Sequence, residues 1–277
     1  MSNNASGGYF NLMYSCDSYK TAELFSTVFM IVRFLCVVPV SIVVLCLGFR
    51  RRSTKTSHSD LFTYNSAALQ LIFGLAAVLY LCGQYAHIFS VFILGVYAAS
   101  IAFPGEIVFH ILTCVDRYLA VVHPITYRGL TQSDGIRIRN ISIVCGWLIS
   151  FGWLGIIAVV FPEMPYVAYF CFFATSIISI SFCSVSVLYV LIHPGPGQTG
   201  RKKEKADKAK RKAFHTIMAI LAALLVYFVA CIVVLAVKNL NLLIDEKSCL
   251  ILTSAQWCGI PCNVALPLLF LRKAKKL

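Results

Sequence analysis

The chain of 277 residues has little charge, and that charge is mostly of one sign. Charged side chains make up 13% of the residues, and Lys and Arg outnumber Asp and Glu by 24 to 11. Hydrophobic residues make up 59%, which is more than the core of one soluble domain of this length can bury. The scarcity of charge therefore excludes an ordinary soluble protein and favours a chain that a lipid bilayer surrounds.

The sequence also lacks the motifs of common enzymes and metal sites. It has 12 cysteines, but no Cys-x-x-Cys pair and no cysteine and histidine spacing typical of zinc. Gly-x-Ser-x-Gly and His-Glu-x-x-His are absent, and the glycines before Arg201 do not lead into the Gly-Lys-Ser/Thr of a phosphate-binding loop. We therefore expect no enzymatic activity, no catalytic residues and no bound metal.

Seven long apolar runs are present instead. Each is long enough to cross the hydrocarbon core, and each must be helical, since a lone apolar segment satisfies its backbone hydrogen bonds only in a helix. The sequence thus predicts an all-α membrane protein, a bundle of seven transmembrane helices. The predicted spans cover residues 24–48, 61–82, 91–122, 138–161, 166–192, 213–237 and 249–271.

The Lys and Arg residues are divided unevenly between the two sides of this predicted bundle. Twenty lie in one set of connections, including eight in the basic loop of residues 193–212, and three lie in the other set. Because such an excess marks the cytosolic side, we expect residues 1–23 outside the cell and the tail of residues 272–277 in the cytosol. This topology accounts for the positive charge without a nucleic-acid partner. Asn4, in the sequon Asn-Ala-Ser, is then a candidate glycosylation site.

The third predicted span ends in the motif that carries a family resemblance. The sequence from Asp116 to Tyr127 reads DRYLAVVHPITY, and it stands at the predicted cytosolic end of the span. In this the chain resembles the rhodopsin-like (class A) G-protein-coupled receptors, as a divergent, orphan-type member. The resemblance implies that Asp116, Arg117 and Tyr118 belong to the switch that couples a receptor to a heterotrimeric G protein.

Residues in later spans also match the family's pattern. Trp147 lies in the middle of span 4, and Tyr189 lies near the inner end of span 5. Pro267 and Phe270 stand in LPLLF, where the family has NPxxY. The resemblance implies that Tyr189, Pro267 and Phe270 act together with the DRY motif during activation.

Span 6 and the outer loops depart from the family's pattern. The residues from Phe228 to Cys231 match the start of the family's FxxCWxP, but its tryptophan and proline are missing. Phe92 stands where the family has a disulfide cysteine, which leaves Cys16 and Cys249 as a candidate pair in its place. These differences keep open a receptor-like membrane protein that does not signal and serves as a scaffold or decoy. A transporter is a weaker alternative, because no inverted repeat is evident.

Ionisable residues inside the third span indicate a polar cluster. Glu106, His110, Thr113 and Arg117 are spaced by four, three and four residues, which places them on one face of a helix. Ionisable side chains are costly inside a membrane and indicate a functional site by default. This face should therefore point into the bundle.

The resemblance extends to residues of this cluster. Gln70 stands where the family has a sodium-binding aspartate, and Glu106 and Asn263 fall on other positions of that pocket. We expect these three residues and His110 to form a polar cluster, either a hydrogen-bonded clamp between helices or a site for Na⁺ or a proton. Arg33 in span 1 also has two interpretations, snorkelling to the membrane interface or pairing with an acidic ligand.

The sequence as a whole predicts a multi-pass receptor of the plasma membrane. Its partners would be the lipid bilayer, an unidentified extracellular ligand and a heterotrimeric G protein. A photoreceptor is disfavoured, because residues 251–271 contain no lysine to bind retinal.

Overall fold

The computed structural model describes most of the chain, and every regular element in it is a helix. The described residues are 20–51, 58–130, 133–160, 165–192, 222, 225–234, 236, 250–251 and 254–274. The basic loop of residues 193–212 therefore lies outside the described residues. Within them, the predicted all-α architecture is confirmed.

The helices are numbered in chain order. They are α1 (Lys20–Arg51), α2 (His58–Tyr85), α3 (Phe89–Val122), α4 (Pro124–Leu130), α5 (Ser133–Val160), α6 (Tyr166–Ile192), α7 (Leu225–Val234) and α8 (Gly259–Ala274). Five of them, α1, α2, α3, α5 and α6, are long and apolar enough to cross a membrane. They overlie the first five predicted spans, while α7 and α8 overlap the ranges predicted for spans 6 and 7. The chain is thus a multi-pass helical bundle of the kind that membranes accommodate.

The outward faces of the long helices are apolar. Leu35 on α1, Leu148 on α5 and Ile178 on α6 expose 64%, 64% and 69% of their surface. Large exposed side chains of this kind recur along the helices. An apolar surface of such extent is unfavourable in water, but it matches the chains of lipids.

The helix α3 lies at the centre of the bundle. It packs against α2, α5 and α6, and its Ile107 joins Phe173 and Ile180 of α6 and Phe228 of α7 in one buried cluster. On its other side, Phe109 packs with residues of α2. Polar side chains on the parts of α3 that these helices cover are therefore surrounded by protein.

The helices α2 and α3 form a tight antiparallel pair. A Cβ atom on Gly83 would lie 2.2 Å from the backbone nitrogen of Phe92, and one on Gly95 would lie 2.6 Å from that of Tyr80. No side chain other than hydrogen fits at either position without moving a backbone. Glycine at these two positions therefore sets the distance between α2 and α3.

The turn between these helices is closed by His87. Its φ of 55° lies in the left-handed region, and its N–H donates to the carbonyl of Gln84 at 3.3 Å. The N–H of Ile88 donates to the carbonyl of Gly83 at 2.9 Å. This pair of hydrogen bonds is the Schellman motif, which caps the end of α2 and fixes where α3 begins.

Candidate functional site

A buried ion pair joins α1 to α3. Nη2 of Arg33 donates to Oε1 and Oε2 of Glu106 at 3.0 and 2.9 Å. The two side chains are only 13% and 7% exposed. The guanidinium carbon also lies 3.5 Å from the ring centroid of Phe73 on α2, a favourable cation–π distance. Contacts with α2 and α3 therefore fix the position of this cation.

This geometry agrees with neither interpretation of Arg33 from the sequence. The guanidinium does not snorkel to the interface, because it points into the bundle. Its acidic partner is a residue of the chain itself. A signal for this pairing was present, since Arg33 is a cation and Glu106 is a carboxylate inside predicted spans, and charges inside membranes pair with one another.

Gln70 on α2 connects α1 to α8. Its Oε1 accepts a hydrogen bond from Oγ of Ser41 at 2.7 Å, and its Nε2 donates to the backbone carbonyl of Asn263 at 3.1 Å. Oγ of Ser41 also lies 2.9 Å from the carbonyl of Val37, so its single proton is shared between two acceptors. The sequence did not indicate Ser41 as a residue of this site, because a serine in an apolar run is more often a packing residue.

Asn263 on α8 connects Glu106 to His110. Its side chain lies next to the Glu106 carboxylate, and its Oδ1 lies 3.4 Å from Nε2 of His110. An amide oxygen only accepts, so the protonated Nε2 of the imidazole donates to Oδ1. Nδ1 of His110 is then a bare acceptor, and it is buried with no hydrogen-bond partner among the described residues.

The structure thus brings Gln70, Glu106, His110 and Asn263 together, and it adds Arg33 and Ser41 to them. These six residues on α1, α2, α3 and α8 are called the polar core below. The predicted face of α3 reaches only as far as Thr113. Thr113 is buried but donates to the carbonyl of Phe109 in its own helix, at 2.7 Å, and Arg117 is exposed.

The polar core has the properties of a clamp between helices. Both carboxylate oxygens of Glu106 accept from Arg33, so the guanidinium holds the position in which a metal ion would bind the carboxylate. No group of three or more His, Cys, Asp or Glu side chains that could hold a metal ion occurs among the described residues. Of the two interpretations from the sequence, the geometry favours the clamp.

The DRY motif lies at the far end of α3 from the turn with α2. Asp116 is buried, whereas Arg117 is exposed. The hydroxyl of Tyr118 lies 3.2 Å from Nε2 of His123, and its ring packs 5.7 Å from that of Phe182 on α6, between centroids. Arg117 therefore lies at a surface next to Tyr118, whose side chain is held in place by these contacts.

The residues after the DRY motif end α3 and begin α4. The N–H of His123 donates to the carbonyl of Leu119 at 3.1 Å, and Pro124 then opens α4. Proline is favoured at the first position of a helix, where its missing N–H has no partner to lose. The N–H of Tyr127 donates to the carbonyl of His123 at 2.9 Å. The whole DRYLAVVHPITY segment is thus one helix end, one tight turn and one short helix.

The other residues matched by resemblance lie on α5, α6 and α8. Pro267 and Phe270 are buried on α8, and the ring of Phe270 meets that of Tyr64 edge-on at 5.3 Å. Tyr189 on α6 is 65% exposed. Nε1 of Trp147 donates to Oδ1 of Asn65 on α2 at 2.9 Å, a partner that the sequence reasoning did not identify.

Three of the predicted site residues lie outside the described residues. These are Asn4, the candidate glycosylation site, and Cys16 and Cys249, the candidate disulfide pair. The chain matches no protein-family model and no curated protein.

Proposed function

We propose that the chain is a G-protein-coupled receptor that transmits the binding of an extracellular ligand to a heterotrimeric G protein. The observation that carries the proposal is the segment DRYLAVVHPITY at the end of a central apolar helix, with Arg117 exposed and Tyr118 anchored on His123. An arginine exposed at the end of such a helix is accessible to a protein partner.

The proposed topology has seven spans, with residues 1–23 outside the cell and the tail in the cytosol, at the plasma membrane. The distribution of Lys and Arg supports this orientation. Under it, α7 is the core of the sixth span, and α8 belongs to the seventh. The DRY motif then faces the cytosol, and the turn at His87 faces outward.

In the proposed mechanism a ligand stabilises one of two packings of the bundle. The helix α3 carries Glu106 and His110 of the polar core as well as Arg117. A rearrangement of its neighbours at the outer end therefore changes the position of Arg117 at the inner end. The basic loop of residues 193–212 adds positive charge on the same side. This positive charge favours contact of the loop with the G protein or with anionic lipids.

A second candidate is a receptor-like protein that does not couple to a G protein. It is favoured by the sequence after Cys231, which reads Ile-Val-Val where the family has its tryptophan and proline. A protein of this kind would keep the DRY segment for packing alone.

The test is a coupling assay in cells with Arg117→Ala. Basal and ligand-library-stimulated second messengers are measured at equal surface expression, for the natural chain, the variant and an empty vector. Arg137→Ala is the matched control, since Arg137 is also exposed and lies on the same proposed side at the start of α5. We expect activity that Arg117→Ala abolishes and Arg137→Ala retains.

The same assay distinguishes the two candidates. No response of the well-expressed natural chain with any G-protein class would reject coupling and leave the non-signalling protein. An equal loss in both arginine variants would remove the special role of Arg117.

A further inference from the structure

The polar core contains a complete charge pair and an unusual number of oxygen acceptors. The two oxygens of Glu106 bind the guanidinium of Arg33, and the polar core also contains Oδ1 and the backbone oxygen of Asn263 and Oε1 of Gln70. Carboxylate, amide and backbone oxygens are the ligands that small hard cations prefer in proteins. The cation bound to the Glu106 oxygens is a side chain.

We propose that Arg33 is the resident cation of the polar core, which makes this site independent of metal ions, and that removing its guanidinium opens Glu106 to Na⁺. The natural protein then has no Na⁺-dependent stability. A variant that lacks the guanidinium acquires it. The inference does not depend on the proposed function, because stability is measured without signalling.

The first argument is electrostatic. Glu106 is 7% exposed and its partner 13%, so each charge needs the other to be tolerated. Loss of one partner leaves a buried charge, and a buried charge is paired, neutralised or expelled. With Arg33 gone, a small cation that enters the bundle is a direct replacement.

The second argument is the geometry of the space that the guanidinium fills. Methionine resembles the aliphatic stem of arginine but has no charged head, so Arg33→Met vacates only the part next to Glu106. Nδ1 of His110, also in the polar core, is a buried acceptor that no described residue meets with a hydrogen bond. A hydrated cation can supply that donor through its water.

The third argument is access. Arg33 and Gln70 line a narrow crevice between α1 and α2. Its walls are otherwise apolar, formed by side chains such as Phe34 and Val37. Arg33 lines this crevice, so the space that the guanidinium vacates opens into the crevice and not into packed side chains.

The experiment compares thermal unfolding of the full chain in lipid nanodiscs, in NaCl and in choline chloride at equal ionic strength and pH. All proteins are prepared in NaCl and then exchanged. The variants are Arg33→Met, Arg33→Lys, Glu106→Gln and the double variant Arg33→Met/Glu106→Gln. Arg33→Lys keeps a cation, and the double variant removes both charges, so the two are matched controls for Arg33→Met.

We expect the Tm of Arg33→Met to be higher in NaCl than in choline chloride by roughly 3 °C or more, with a saturable dependence on Na⁺. The natural chain, Arg33→Lys, Glu106→Gln and the double variant should show equal Tm values in the two salts. Glu106→Gln lacks the carboxylate, so it also tests whether Na⁺ acts at Glu106.

Three results would overturn the proposal. One is a Na⁺-specific rise in the Tm of the natural chain. Another is an Arg33→Met variant that gains stability only when the pH is lowered, because a proton and not Na⁺ would then neutralise Glu106. The third is aggregation of Arg33→Met in NaCl while the double variant folds, because Na⁺ would then fail to replace the guanidinium.

Discussion

This molecule has a closed region and an open region, and each contains one of two contrasting arginines. Arg33 is enclosed by α1, α2 and α3, bonded to Glu106 and stacked on Phe73. Arg117 is exposed at the other end of α3. The same side chain thus holds the bundle together in one place and remains available to a partner in the other. Burial and pairing, rather than residue type, determine which role an arginine has.

The largest expected effect comes from removing the partner of the enclosed arginine. Glu106→Gln keeps the shape of the side chain but leaves the Arg33 charge buried and unpaired, so we expect a loss of about 3–5 kcal/mol in the free energy of unfolding. Arg117→Gln should leave stability unchanged. Denaturant unfolding in detergent micelles measures both, and an equal loss in the two variants would refute the division into closed and open regions.

The next effect tests the helix packing that places Glu106 beside Arg33. Gly95→Ala forces a Cβ atom against the backbone of Tyr80, so α2 and α3 must separate, and we expect a loss of about 1–3 kcal/mol. Gly152→Ala on α5 is the control, because a Cβ there meets nothing within 4 Å. Comparable Tm values for both alanine variants would show that the close approach of α2 and α3 does not contribute to stability.

A smaller effect is expected at the edge of the polar core. Ser41→Ala leaves Oε1 of Gln70 without its donor in a buried place, which should lower the free energy of unfolding by about 1–2 kcal/mol. Ser142→Ala is matched to it, since Ser142 also donates to a carbonyl of its own helix, but that hydrogen bond is exposed and Ser142 is only half-buried. If the two variants unfold at the same denaturant concentration, the link between Ser41 and Gln70 contributes nothing.

The smallest effect is a gain, at the turn that begins α3. His87 holds a left-handed conformation that favours glycine, so His87→Gly relieves local strain while adding flexibility to the unfolded chain. The two terms oppose each other, and we expect a net rise in stability of about 0.5–1 kcal/mol. The variant Ala86→Gly, one residue earlier, should lower stability. A loss at both positions would mean that the strain at His87 is negligible.

The helices and part of the polar core were predicted from different features of the sequence. Long apolar runs are sufficient to locate α1 to α3, α5 and α6, because a membrane span is defined by its own composition. The four predicted polar residues were placed by motif and spacing, and they do lie together. Their contacts with Arg33 and Ser41 depend instead on how separate helices pack, and helical periodicity within one span carries no information about that.

The predicted face of α3 shows the same limit within a single helix. Its spacing placed Glu106, His110, Thr113 and Arg117 in line, and the first three are buried. Arg117 is not, because a face is buried only as far as other helices cover it. Regular spacing fixes the direction of a side chain but not the surroundings at each level of the bundle.

The ion pair across 73 residues also has a consequence for how the protein is made. An arginine within an otherwise apolar first span costs about 2.5–3.5 kcal/mol at the centre of a membrane helix. At translation rates of about 5–20 residues per second, Glu106 follows Arg33 by roughly 4–15 s. During that interval α1 inserts without its counter-charge, and its placement becomes final only when α3 arrives. Ribosome-arrested chains that end before Glu106 should therefore show α1 less completely inserted than chains that contain it.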